Sequence, residues 1–135
     1  MFRYQLLIEY LGTNYKGWQI QKKNKTIQGI LQDKIRKLLK ENITIVGSGR
    51  TDAGVHAIGQ VAHFRLESGK PWEMWKLRGA LNSQLPSSIR VLAVLEAPND
   101  FHAQRIAIKK QYSFYFQQGP VALPHLEPYS WWIRK

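Results

Sequence analysis

Cysteine is absent from the 135 residues, which excludes disulfides, thiolate metal sites and thiol nucleophiles together and makes a reducing cytoplasm the expected setting. Acidic residues are scarce. Nine Asp and Glu stand against twenty Lys and Arg, a net charge of +11 spread along the whole chain. That imbalance points to a polyanionic partner, RNA or DNA, beyond a merely solubilising surface. Long apolar runs are missing too: no stretch approaches the roughly 18 residues that a spanning helix requires. Met1 leads at once into a strand-like run, so secretion and membrane insertion are not expected. A membrane surface also fits poorly, because the one strongly amphipathic helix lacks bulky aromatic anchors on its apolar face.

What remains is an ordinary folding composition, 44% hydrophobic and 21% charged, at the size of a single domain covering residues 1–135. Phe2 to Tyr10 reads as a strand, ending at the turn residues of Leu11-Gly12-Thr13-Asn14. A helix is expected after a Thr26 cap, since Ile27, Ile30, Leu31, Ile35, Leu38 and Leu39 recur at three-and-four spacing. Ile43 to Val46 and His56 to Leu66 read as strands flanking a glycine-bounded loop. Pro71 is expected in the first turn of a second helix that buries Met74, Leu77, Leu81 and Leu85, packed by Trp72 and Trp75, and ends before Pro86. Ile89 to Leu95 and Tyr112 to Phe116 complete the strands, the latter alternating. The order predicts an α+β fold of the ferredoxin-like, split βαβ kind, an antiparallel sheet with helices on one face and the other face free for RNA. Gly119 to Lys135 carries three of the six prolines with Tyr129, Trp131 and Trp132, an apolar segment without an evident partner.

Only three aspartates are present. Asp33 falls mid-helix among lysines and Asp100 follows Pro98-Asn99 in a turn. Asp52 differs, standing in the loop between two strands with Gly49 and Gly54 on either side and Arg50 two residues away. One reading is a turn in which the aspartate caps its own backbone. The other is a working carboxylate, held ionised and oriented by the guanidinium. His56 and His63 lack a zinc-helix spacing, His102 and His125 are isolated, and neither a nucleophile elbow nor a phosphate-binding glycine loop is present, so no metal site is expected.

The nine residues Gly49-Arg50-Thr51-Asp52-Ala53-Gly54-Val55-His56-Ala57 resemble the active-site signature of the tRNA pseudouridine synthase A family. Further segments resemble that family in the same order: Tyr15 to Gln21, Thr26-Ile27-Gln28, Gly59 to Phe64, Leu81 to Pro86, Phe101-His102-Ala103 and Lys110-Gln111-Tyr112. The resemblance implies one half of a two-lobed fold that converts uridines of the tRNA anticodon stem-loop to pseudouridine, without metal or organic cofactor. It implies Asp52 as the essential carboxylate, Arg50 as the residue holding the target nucleotide out of its stack, and Tyr112 as a platform for the uracil. Lys22, Lys23, Lys25, Lys109 and Lys110 become candidate RNA contacts, tRNA the partner, and a homodimer the expected assembly.

Two departures qualify the match. Where the family usually has Phe-x-Ala-Arg, this chain reads Phe101-His102-Ala103-Gln104-Arg105. The family's second half is also not in this sequence, so the chain by itself is not expected to be a complete catalyst, and the tail Tyr129-Ser130-Trp131-Trp132 is what a cut through such a protein would leave. Two alternatives follow from the residues. One is a non-catalytic RNA-binding module that uses Lys110 to Phe116 as an aromatic stacking strand. The other is an inactive fragment that works only when paired.

Overall fold

A computed structural model describes all residues, 1–135. Strand β1 (Phe2–Tyr10) alternates its side chains, sending Tyr4, Leu6, Ile8 and Tyr10 into the core. Helix α1 (Ile27–Leu39) follows, with Thr26 as its N-cap accepting from the Gly29 N–H at 3.2 Å and Lys40 closing it in the left-handed region. Then come β2 (Val46–Gly47), β3 (Ala57–Leu66), α2 (Met74–Gln84) and β4 (Ile89–Ala97). The sheet order is β2-β3-β1-β4, antiparallel throughout, which is the split βαβ arrangement the sequence predicts.

Ile27, Leu31 and Ile35 of α1 and Leu77 and Leu81 of α2 cover one face of the sheet. They meet Phe64 and Leu66 of β3 and Ile89, Val91 and Val94 of β4. A bulge opposite Leu7 and Ile8 inserts an extra residue in β4, so Val91 and Val94 both face inward despite their odd spacing.

Four expectations are corrected. The Ile43–Val46 strand shrinks to Val46–Gly47, because α1 side chains take the backbone groups that a ladder would use: Arg36 donates to the Ile43 carbonyl, Gln28 to that of Ile45, and the Ile45 N–H donates to Gln32. Pro71 lies before α2, not in its first turn, since the Trp72 N–H is held by the Tyr4 hydroxyl at 2.8 Å in an extended approach. Trp72 packs on the core, whereas Trp75 and Met74 are exposed. The Tyr112–Phe116 strand is not formed either. Its aromatic side chains have no surface to alternate against and stay exposed, and β5 (Phe116–Gly119) pairs in parallel with β6 (Trp131–Arg134) as a separate two-stranded unit.

That second unit pairs the backbone of the tail within the chain but leaves Tyr129, Trp131 and Ile133 exposed, so most of the tail's apolar surface is still uncovered. Phe116 meets Trp131 at 6.0 Å between ring centroids, and the Trp132 indole donates to the Gly119 carbonyl. The outer face of the main sheet is not wholly free. The segment after β4 crosses it, with Arg3 donating to the Phe101 carbonyl and the Ala103 N–H donating to His63 Nδ1 at 3.2 Å. His102, isolated in sequence, stands edge-on to His63 at 4.9 Å.

His63 yields the first prediction. Burial, reinforced by His102 and Arg3, pushes its pKa from 6.5 down to about 4. Only the neutral ring can accept the Ala103 N–H. Unfolding restores the ordinary value, so the unfolded chain binds the extra proton as pH falls from 6.5 toward 4, and stability is lost across that window. With solvent screening discounted, the loss is about 1–2 kcal/mol, a drop of several degrees in Tm. Thermal melts of wild type and His63→Asn at pH 7, 5.5 and 4.5 check this. The wild type should lose more than the variant, and parallel curves would refute it.

Candidate active-site loop

Residues 48–56 bridge β2 and β3, and none of them belongs to a helix or strand. A loop of that kind holds its shape only where its backbone groups find fixed partners. Here the partners come from the connection after β1. The Trp18 N–H donates to the Thr51 carbonyl at 3.0 Å, the Gly54 N–H donates to the Tyr15 carbonyl at 3.2 Å, and the Gly12 N–H donates to His56 Nδ1 at 2.9 Å. Within the loop the Val55 N–H closes a turn on the Asp52 carbonyl at 3.1 Å.

The partner segment is itself anchored. Tyr15 shares a 2.6 Å hydrogen bond with Ser88, and Trp18 is buried against Tyr10 with ring centroids 6.2 Å apart. Beneath the loop, the Tyr10 hydroxyl and Thr51 Oγ1 share a hydrogen bond of 2.8 Å. Burial raises the Tyr10 pKa above its ordinary value against the opposing pull of Thr51 and Gln60, with Tyr112 adding to the rise. The phenol therefore stays protonated and able to donate at neutral pH.

Asp52 sits at the exposed tip. Its side chain caps no backbone group, so the self-capped turn weighed from the sequence is not observed; the backbone carbonyl makes that turn instead. Nor does Arg50 pair with it. The chain's ion pairs are Lys37–Asp33, Arg65–Glu67 and Lys76–Glu73, all on exposed side chains. Both Arg50 and Asp52 remain in water, where a contact between them would gain little.

Arg50 instead lines a cavity of about 660 Å³ together with Trp18, Gln19, Gln104, Lys110 and Tyr112. Such a volume lies within the range of small-molecule sites. The Lys110 stem passes close over Gly49, so the segment after β4 docks on the base of the loop. Gln104, where the sequence pattern led to an expected arginine, faces the cavity, and Arg105 does not. The structure thus brings Arg50, Lys110 and Tyr112 together on one flank of the loop that carries Asp52. Lys109 is exposed outside the cavity lining, and Lys22, Lys23 and Lys25 occupy the exposed connection before α1, with Lys25 Nζ 5.2 Å from the Tyr15 ring centroid.

Sequence reasoning missed Tyr10, Trp18 and Gln60 as supports of the loop. One signal was available: in the alternation of β3, Gln60 falls at an inward position otherwise taken by Ala62, Phe64 and Leu66. A polar residue in that register needs a buried partner.

Comparison with known proteins agrees with the loop. The sequence model of one family, described as tRNA pseudouridine synthase, matches residues 6–104. The tRNA pseudouridine synthase A 1 of Protochlamydia amoebophila (strain UWE25) is 45% identical over 136 residues, covering 100% of this chain and 52% of that protein. The tRNA pseudouridine synthase A of Caldicellulosiruptor saccharolyticus is 50% identical over 109 residues, 81% of this chain and 44% of that protein. The one from Agrobacterium fabrum is 41% identical over 140 residues, 100% of this chain and 51% of that protein. The chain spans about half the length of the curated relatives it matches. With the matched residues running from β1 through the loop to Gln104, the chain belongs to the tRNA pseudouridine synthase family.

Proposed function

We propose that residues 1–135 act as one domain, the catalytic-loop lobe of an enzyme that isomerises uridine to pseudouridine in tRNA, with Asp52 as its catalytic carboxylate. The observation that carries this reading is the setting of Asp52. Its side chain is exposed and makes no bond within the chain, yet it stands on a loop whose backbone is fixed at Thr51, Asp52 and Gly54, beside a cavity lined by Arg50, Lys110 and Tyr112. A residue that serves only the fold would be expected to contact it.

The reaction breaks the N1–C1′ bond, turns the uracil, forms a C5–C1′ bond, releases the C5 proton and places one on N1, so it balances as an isomerisation without redox change, metal or organic cofactor. Asp52 supplies the carboxylate that acts at the ribose or the base. Neither atom can be reached in a stacked helix, so the nucleotide must be extruded. Arg50 holds the extruded nucleotide, and the Tyr112 ring, 60% exposed, packs against the uracil while its hydroxyl assists proton movement. Lys22, Lys23, Lys25, Lys109 and Lys110 hold stem phosphates. The substrate is the anticodon stem-loop, a second lobe completes the cleft, and the protein works as a cytoplasmic homodimer.

The test uses tRNA transcripts incubated with this chain alone and with this chain joined to the remaining half of the Protochlamydia relative. Pseudouridine is read by carbodiimide adducts that block primer extension. The joined protein should modify anticodon stem-loop uridines, and the chain alone should bind tRNA with little turnover. Binding should weaken steeply with added salt, by about one power of salt concentration for each phosphate neutralised. No pseudouridine in any transcript would sink the reading.

The alternative of an aromatic stacking strand at Lys110 to Phe116 loses its platform, because those residues lie off the main sheet and only Phe116 belongs to a strand.

A further inference from the structure

We infer that Gln60 is the positioning residue that sets the geometry of the Asp52 loop, by clamping its two roots together from inside the core. The inference rests on the proposed role of Asp52, but its geometry stands independently.

Gln60 is only 8% exposed and lies on the helix-facing side of β3, opposite Ile8 of β1. A primary amide there is costly unless both ends are bonded. Both are. Nε2 donates to the Gly49 carbonyl at 2.7 Å, and Oε1 accepts from Ser48 Oγ at 2.9 Å. The carboxamide also approaches the Tyr10 hydroxyl that holds Thr51. The Gly49 carbonyl can only accept, so the amide cannot turn over without setting two oxygens against each other; the Ser48 hydroxyl then has to donate.

The place of this clamp in the chain gives it its effect. Ser48 and Gly49 form the entry root of the loop, immediately before Arg50, while Gln60 belongs to the strand that begins at the exit root. The β1–β3 register shifts just before Gln60, between the Ile8 and Tyr10 pairings, while the exit root is paired at Ala57 and the entry root is tied to β3 by the Ser48 N–H donating to the Val61 carbonyl at 2.7 Å. The Gln60 side chain adds two further bonds at that entry root, across the stretch where the register shifts. A contact between roots limits how the residues between them can rotate, and a displacement near 1 Å at a reacting group lowers turnover about a hundredfold.

The test compares Gln60→Leu, which removes both bonds at similar volume, with Ser48→Ala, which removes one partner without touching the core. Hydrogen exchange in the chain is read separately for loop amides from Arg50 to Val55 and for β1 amides from Tyr4 to Ile8. Gln60→Leu should speed loop exchange about tenfold or more and leave β1 within about threefold, with Ser48→Ala intermediate. In the joined protein, Gln60→Leu should lower kcat about a hundredfold with KM little changed, because the RNA contacts of Arg50 and the lysines persist. Equal acceleration at loop and sheet would mark a merely structural role, and unchanged loop exchange in Ser48→Ala together with Gln60→Leu would overturn the clamp. Should Gln60→Leu fail to fold, Ser48→Ala decides alone: loop-selective acceleration supports the clamp and its absence overturns it. Loop-selective exchange without wild-type turnover would leave the clamp standing and defeat the assignment of activity instead.

Discussion

Replacing Asp52 by Asn should abolish pseudouridine formation by the joined protein, lowering kcat by about 10⁴-fold or more, the loss seen when an essential member of a catalytic set is removed. Asparagine has nearly the same shape and keeps a carbonyl oxygen, but it is neither a nucleophile nor a base at neutral pH. The fold gives no reason for any other change. The loop is held through the Thr51 and Asp52 carbonyls and the Gly54 N–H, none of them a side-chain group of residue 52. Asp52 enters none of the ion pairs and is exposed, so Tm should be unchanged. tRNA binding should be retained, because losing one negative charge from a chain of net charge +11 does not weaken its hold on phosphates. The pairing of lost turnover with intact binding is what separates an enzyme from an RNA-binding module, which would be indifferent to this change. Substantial turnover by Asp52→Asn would remove the residue from the mechanism. A matching loss of binding would show that it acts in recognition.

The sequence made the parts of this molecule legible wherever one physical rule decided the outcome. β1 and α1 each have a buried face and a wetter face, and their spacing reads directly as period two or period 3.6, as does the inward row of β3, whereas the bulge in β4 interrupts its alternation. Asp52 stood out because glycines flank it and because its neighbours resemble a known loop. What stayed hidden was decided by contacts between distant residues. Ile43 to Ile45 has strand composition, but Gln28, Gln32 and Arg36 reach across from α1 and take its hydrogen-bonding groups. Tyr112 to Phe116 alternates correctly, yet alternation forms a strand only when a sheet edge is there to receive it. The Arg50–Asp52 pairing was inferred from nearness in sequence and failed for the same reason: two residues in an exposed loop have water as a competing partner. The supports of the loop, Tyr10 and Gln60, reach it from 41 and 11 residues away, and while the inward register of Gln60 signals that it needs a partner, sequence spacing does not say which one.

The glycine preceding Trp18 offers the sharpest test of how tightly the loop is held. Gly17 and Gly69 both adopt a φ of +85°, so changing either to alanine carries the same backbone strain, about 1 kcal/mol. Their surroundings differ. A Cβ on Gly69 would meet nothing within 4 Å, whereas one on Gly17 would lie 2.5 Å from the Thr51 carbonyl oxygen and 3.2 Å from the Asp52 carbonyl carbon. Those atoms are backbone and cannot swing aside as a side-chain tip would. Relief requires the two segments to part by several tenths of an ångström, which strains the Trp18 N–H to Thr51 bond, now 3.0 Å, and the neighbouring Gly54 N–H to Tyr15 bond. Gly69→Ala should therefore cost only the strain, a few degrees in Tm, and leave turnover intact. Gly17→Ala should cost about 3 kcal/mol or more, since overpacking against fixed backbone adds to the strain. It should also lower turnover by the joined protein about a hundredfold, because Asp52 is carried away from its working position. Thermal melts and turnover of the two variants side by side decide the matter. Equal behaviour would mean that the connection after β1 does not hold the loop, and a stability loss in Gly17→Ala with normal turnover would mean that Asp52 keeps its place without it.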